Sequence, residues 1–263
     1  MTYQNFTVSV EDGVARVTLN RPQAYNAIDL QSARELCDIA NRLTGDPRVR
    51  AILITGSGDK AFCAGGDVGS FARDPESVGL LLRELTGYYH LAISRLAWGG
   101  APVLAAVNGV AAGAGLSLVA ACDLVIAADT ATFTSAYTRI GLTPDGSSTY
   151  FLPRIIGVRR ATELYLSSRV LSAAEALDWG LVNRVVPAAE LAGAAADWAR
   201  ELAAGPTRAF AGVKRLVAVA TTETLESQME RETREIVDAA QTADGREGVR
   251  SFVEKRKPRF TGQ

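Results

Sequence analysis

Two apolar runs, each leading to a loop of glycine and alanine, constrain this chain more than any other feature. Ala51-Ile52-Leu53-Ile54-Thr55 is followed by Ala61-Phe62-Cys63-Ala64-Gly65-Gly66-Asp67-Val68. Pro102-Val103-Leu104-Ala105-Ala106-Val107 is followed by Asn108-Gly109-Val110-Ala111-Ala112-Gly113-Ala114-Gly115-Leu116. Each pair reads as a strand ending in a turn that exposes backbone. Side chains this small bring little chemistry, but they let a ligand come close to backbone N–H groups. Two such loops together could hold one oxygen that becomes negative during a reaction.

The rest of the chain alternates strands and helices. Residues 6–10 and 14–19 flank Glu11-Asp12-Gly13 and read as a hairpin. Asp29 can cap a helix running to about Leu43, with Ser32 and Glu35 as a competing capping box, and Gly45-Asp46-Pro47 stops it. A helix over roughly 76–97 places Leu81, Leu85, Tyr88, Ala92 and Leu96 on one stripe. A strand at 103–107, a short apolar helix from about 114 to 121 and a strand at 124–127 come next. Ser172-Ala173-Ala174-Glu175 is a capping box opening a helix that ends near Gly180, and Val182–Val186 is a late strand closed by Pro187. From 188 onward the pattern is helical, with breaks near Gly205-Pro206 and Asp244-Gly245. The order indicates an α/β fold with a helical C-terminal region.

The 28 basic and 29 acidic residues nearly cancel across 263 residues, which gives no reason to expect nucleic acid or an anionic membrane as partner. No apolar run has the length of a membrane span. Cys37, Cys63 and Cys122 are odd in number and lack metal-ligand spacing, so the expectation is a reducing cytoplasm, no disulfide framework and no metal. The chain enters Phe6-Thr7-Val8 with no signal-peptide pattern ahead of it.

Taken together and in this order, a set of motifs is similar to the crotonase (enoyl-CoA hydratase/isomerase) superfamily almost end to end. They are Asn20-Arg21-Pro22 with Asn26-Ala27, the FCAGGD loop, AAVNGVAAGAGLSL followed by Ala121-Cys122-Asp123, Asp178-Trp179-Gly180-Leu181-Val182, Arg246-Glu247-Gly248, and Phe252-Val253-Glu254-Lys255-Arg256. The resemblance implies a spiral of ββα units over 1–200 and a helical region over 201–263 that packs between subunits of a trimer or a hexamer. It implies a coenzyme A thioester as substrate, with no permanently bound cofactor. The oxyanion donors would be the N–H groups of Gly66 and Ala114, the latter aided by a helix dipole. Ala24, Asn26 and the segment Ala64, Gly65, Gly66, Asp67 and Val68 would line the path of CoA. The C-terminal Phe252 and Lys255, within the basic cluster Lys255–Arg259, could meet CoA, although such a cluster is equally a solvated tail.

The two glutamates that activate water in the hydratases of this superfamily would fall on Ser117 and Tyr137, and neither is a carboxylate. The substitute is Asp145, in Gly141-Leu142-Thr143-Pro144-Asp145-Gly146. That pattern resembles the branch holding the phenylacetate-pathway enoyl-CoA isomerases and 4-chlorobenzoyl-CoA dehalogenase, where an aspartate faces the acyl group. Pro-Asp-Gly is also a plain β-turn sequence. One carboxylate suffices to move a proton between C2 and C4 of a thioester while the oxyanion hole holds the enolate. His90, the sole histidine, is two residues and about 200° round the helix from Tyr88. Its readings are a surface histidine or, by the dehalogenase resemblance, a base for water. Tyr137 is an acyl-pocket wall or an aromatic core residue. Cys63 is expected to be a small buried residue rather than a nucleophile.

Overall fold

The computed structural model describes residues 2–72 and 74–263. β1 (Phe6–Glu11) and β2 (Val14–Leu19) form the expected antiparallel hairpin, with Phe6 opposite Leu19. α1 (Leu30–Gly45) is capped by the Asp29 side chain, which accepts from the Ser32 amide. Glu35 is no part of that cap: it turns away to accept from the amides of Gln4 and Asn5.

Next comes a repeat of two strands and a helical stretch. β3 (Ala51–Gly56) and β4 (Ala61–Cys63) precede α2 (Val68–Phe71) and α3 (Val78–Trp98). β5 (Val103–Val107) and β6 (Val110–Ala112) precede α4 (Ala114–Ala121). β7 (Leu124–Ala128) and β8 (Thr132–Thr134) precede α5 (Ser148–Ile156) and α6 (Val158–Ser167). The first strand of each unit joins one sheet and the second joins another. The large sheet runs β1-β2-β3-β5-β7-β10, and the small one β4-β6-β8-β9. Here β9 is Leu171–Ser172 and β10 is Arg184–Val186. β2, β3, β5, β7 and β10 are mutually parallel, with Ile52 beside Val103 and Leu104 beside Leu124. β3 and β5 are buried almost throughout, which is why they read as apolar runs. This spiral of ββα units is the fold class expected from the motifs.

α7 (Ala173–Asp178) opens with the expected capping box, Ser172 and Glu175 bonding reciprocally. α8 (Leu191–Ala203) packs on β3, β5 and β7, and the division expected at 200/201 falls inside it. α9 (Thr207–Val219), α10 (Leu225–Ala240) and α11 (Ala243–Val253) complete the chain. Lys214 anchors α9, donating to the carbonyls of Leu96 and Ala101 with Asp123 Oδ2 2.7 Å away.

Three expectations need correction. The buried stripe of α3 is Leu85, Tyr89, Ala92, Ile93 and Leu96, while Tyr88 is exposed. Adjacent tyrosines hide a one-residue error in helical phase. The break placed at Asp244-Gly245 lies one cap earlier: Thr242 caps α11 and Asp244 is buried in its first turn. That carboxylate accepts from the Thr261 and Gly262 amides, so the acidic residue ties down the C-terminus instead of ending a helix. Val182 precedes the late strand instead of opening it. Among the described residues, no helix is long and apolar enough to cross a membrane.

Candidate active site

The two small-residue loops meet because the strands that deliver them are neighbours. β4 and β6 pair in parallel, with Cys63 beside Ala111, so the residues that follow them emerge side by side. The approach is close enough to dictate glycine. Gly65 has φ +98°, and a Cβ there would sit 2.9 Å from the Ala112 carbonyl oxygen and 3.4 Å from the Ala114 nitrogen. A Cβ on Gly115 would come within 2.1 Å of the Cys63 carbonyl oxygen. Among the described residues, the Gly66 and Ala114 amides have no acceptor in the protein. Ala114 is the first residue of α4, whose opening N–H groups lack helical partners. The loops thus present two free donors, one carrying the positive end of a helix dipole.

Backbone bonds hold the first loop. The Ile28 amide donates to Gly65 O at 2.7 Å, and the Asp67 amide donates to Ile28 O at 2.9 Å. The Arg21 guanidinium reaches Asp67 Oδ2 at 3.0 Å, Asp29 Oδ2 at 3.2 Å and the Ala27 carbonyl at 2.6 Å. Asn26 is buried with φ +56°, its side chain accepting from the Arg21 amide and donating to the carbonyls of Ser57 and Ala61. Its side chain, like the Asp67 carboxylate, is therefore committed to shaping the loop. Ala24 and Ala64 are half-buried beside it, and Val68 is exposed.

Asp145 is held by two hydroxyl groups. Tyr137 donates to its Oδ1 at 2.6 Å, and Ser117 Oγ donates to its backbone carbonyl at 2.8 Å. Ser117 Oγ and the Tyr137 hydroxyl are 3.0 Å apart. The two positions expected to lack carboxylates thus close on each other and on Asp145. Burial and the Asp145 charge push the Tyr137 phenol well above its ordinary range, so it stays a donor. Non-glycine left-handed backbone flanks the aspartate, at Ala136 (φ 58°) and Ser147 (φ 67°). This strain aims Tyr137 from one side and starts α5 on the other.

His90, on α3, places Nε2 3.5 Å from Asp145 Oδ2 and accepts there from the Gly146 amide at 3.1 Å. Gly146 has φ +61°, and a Cβ on it would lie 2.7 Å from Tyr89 and 2.8 Å from Ser117. Tyr89 was missed in the sequence. Fully buried, it donates to the Ala114 carbonyl at 2.5 Å and braces the first turn of α4. Cys63 is buried, with its thiol pushed up to about 12 by desolvation, so it is no nucleophile.

Asp145, Tyr137, His90, Gly66 and Ala114 are held by neighbouring strands, turns and α3. The C-terminal residues are placed elsewhere. Phe252 is 85% exposed, and Lys255 follows it in left-handed backbone. Arg256 is paired with Glu247 and Glu254. The surface hollow there, lined by Arg246, Arg250, Lys257 and Arg259 among others, contains no residue of either loop. Among the described residues, no three His, Cys, Asp or Glu side chains are grouped to hold a metal ion.

The model of the family described as enoyl-CoA hydratase/isomerase matches residues 9–263. The chain belongs to the enoyl-CoA hydratase/isomerase family. It is 40% identical to the 1,2-epoxyphenylacetyl-CoA isomerase of Escherichia coli (strain K12), over 97% of each chain. It is 42% identical to the 4-chlorobenzoyl coenzyme A dehalogenase-2 of an Arthrobacter species, over 88% of this chain and 84% of that one. The crystal structure of an enoyl-CoA hydratase from Bacillus anthracis superimposes with a TM-score of 0.92 at 32% identity, covering 99% of this chain and all of that one. Family relatives therefore carry isomerase, dehalogenase and hydratase names on one scaffold.

Proposed function

We propose that this member of the enoyl-CoA hydratase/isomerase family moves a carbon–carbon double bond in an enoyl-CoA, with Asp145 as its single proton carrier. The observation that carries this reading is what surrounds Asp145, beside the helix that opens at Ala114. The Asp145 carboxylate accepts from the Tyr137 hydroxyl, and the Asp145 backbone carbonyl accepts from Ser117 Oγ, so both of the positions beside it are hydroxyls and not acids. Hydration needs one group to activate water and another to protonate C2, whereas double-bond migration needs one base used twice.

In this reading the thioester oxygen accepts from the Gly66 and Ala114 amides. Asp145 Oδ2 takes a proton from C2 of a 3-enoyl thioester, and the electrons move into a dienolate whose charge rests on that oxygen. The carboxyl group then delivers a proton to C4, giving the conjugated 2-enoyl thioester. Each oxyanion donor is worth roughly 10²–10³ in rate. Ala24, Asn26 and Ala64–Val68 would line the CoA path through backbone. Phe252 and Lys255 would reach CoA only across subunits of a trimer or hexamer, which we propose as the assembly. Three free cysteines suit a cytoplasmic setting.

Turnover of a 3-enoyl-CoA to its 2-enoyl isomer, measured beside Asp145→Asn, tests the reading. Activity that the substitution abolishes supports it, and absence of turnover in both proteins removes it. A hydrolytic reading is favoured by the 3.5 Å approach of His90 to Asp145 and by the dehalogenase relative. In that case Asp145 attacks the halogen-bearing ring carbon of a haloaryl-CoA, halide departs, and His90 takes a proton from the water that hydrolyses the resulting aryl ester. An acyl or aryl adduct on Asp145, trapped by rapid quench and mass spectrometry, separates the two.

A further inference from the structure

We infer that His90 is the proton exit of the site, exchanging the proton that Asp145 holds during turnover with bulk water. This inference deepens the isomerase reading and rests on it.

The two oxygens of Asp145 are not equivalent. Oδ1 is taken by the Tyr137 hydroxyl at 2.6 Å. That phenol is itself held in its protonated form by burial and by the Asp145 charge, so it cannot accept the travelling proton. A proton lifted from substrate carbon therefore resides on Oδ2. The base beside Oδ2 is His90, with Nε2 3.5 Å away. Because the Gly146 amide donates to this same nitrogen at 3.1 Å, Nε2 carries no hydrogen, and the neutral ring holds its proton on Nδ1. The imidazole is thus set as an acceptor towards Asp145. Its side chain is 50% exposed, against 26% for Asp145, so the ring touches both the carboxyl group and water. His90, Asp145 and Gly146 also line a cavity of about 1050 Å³ beside α3, α5 and α9, whose lining includes no residue of the oxyanion loops.

The relay balances without any further reactant than water. Protonated Asp145 gives its Oδ2 proton to His90 Nε2, and the Gly146 amide loses its acceptor as the ring moves to meet the carboxylate. The half-exposed ring then turns Nε2 towards water and releases that same proton there, while Nδ1 keeps its own. A solvent proton binds Nε2 in its place, is passed back to Oδ2, and from there goes to C4 of the waiting dienolate. No electron pair leaves the site, and the net change is one substrate hydrogen exchanged for one from solvent. An isomerase lacking this exit would pass the same hydrogen from C2 to C4.

The experiment is isomerisation of a 3-enoyl-CoA in D₂O at low conversion, with deuterium at C4 of the product read by mass spectrometry and NMR. The proteins are wild type, His90→Gln and, as the background control, Asp145→Asn. Glutamine offers an oxygen to the Gly146 amide but cannot ferry a proton. Wild type is expected to place deuterium in most product molecules. His90→Gln is expected to lower that fraction roughly threefold or more, while kcat changes by less than the fraction does. A merely structural role would lower kcat and leave the labelled fraction alone. Equal labelling by wild type and His90→Gln overturns the inference while leaving the isomerase reading intact, as does wild-type turnover without label. No turnover by folded wild type overturns the isomerase reading itself, and the inference with it.

Discussion

Tyr137 and Asp145 are joined by a 2.6 Å hydrogen bond in which the phenol donates to Oδ1, leaving Oδ2 to the side of His90, whose Nε2 is 3.5 Å away. In the isomerase reading, the bond fixes which lone pair meets substrate. Removing a hydrogen bond to a charged acceptor costs about 1.5–3 kcal/mol. If that cost falls on the orientation of the base, Tyr137→Phe should lower kcat for isomerisation roughly ten- to hundredfold. KM should move little, because the phenyl ring keeps the wall in place. An unchanged kcat would mean that the tyrosine is packing alone.

Gly115 and Gly87 are both helical glycines, and they should respond oppositely to alanine. A Cβ at 115 meets the Cys63 carbonyl oxygen at 2.1 Å, whereas one at 87 meets nothing within 4 Å. Gly115→Ala should force the two loops apart, costing roughly 1–3 kcal/mol in denaturant unfolding and most of the activity. Gly87→Ala, on the exposed side of α3, should gain about 0.5–1 kcal/mol with unchanged kinetics. Equal effects at the two positions would contradict the close approach of the loops.

The sequence made the large sheet legible because its central strands are buried on both faces and read as apolar runs. The small sheet was not legible. β4, β6, β8 and β9 are three residues or shorter, too brief for alternation to emerge. α5 and α6 went unassigned for a different reason: α5 begins after a left-handed serine and carries Pro153 within it, so its cap lacks an ordinary signal. At the site, the glycine loops announced themselves because close backbone approach leaves a compositional mark. Asp145 needed the family motif, since Pro-Asp-Gly is also an ordinary turn. Tyr89 lay beyond reach, because only the phase of α3 distinguishes it from Tyr88.

Cys63 supplies a test in pH. Its native thiol is held at about 12, against an ordinary value of 9.0, by full burial. The unfolded chain ionises first as pH rises, so this thiol weakens the fold progressively from about pH 9 towards pH 12 and has no effect below that window. Native protein at pH 8 should resist thiol reagents at Cys63 until denaturant is added. Cys63→Ala should flatten the fall in unfolding free energy between pH 8 and pH 10 while keeping enzymatic activity. Rapid labelling of native Cys63, or loss of turnover in the alanine variant with the fold intact, would restore it as a nucleophile.

Arg21 braces the loop that carries Gly66 without touching Asp145 or either free amide. Its guanidinium lies between Asp67 and Asp29 and also holds the Ala27 carbonyl, so it ties the segment before α1 to the loop that carries Gly66. Without it, two carboxylates face each other across a half-buried gap. Arg21→Ala should cost roughly 2–3 kcal/mol, below the cost of breaking a fully buried pair because both aspartates keep some water. The loosened loop would misplace one oxyanion donor, so kcat/KM should fall at least tenfold under conditions where the variant is fully folded. Arg21→Lys restores the charge but not the fork that reaches three acceptors, so it should recover more stability than activity. Full recovery of both by lysine would reduce the role of Arg21 to charge neutralisation and leave the geometry of Gly66 to the backbone bonds with Ile28.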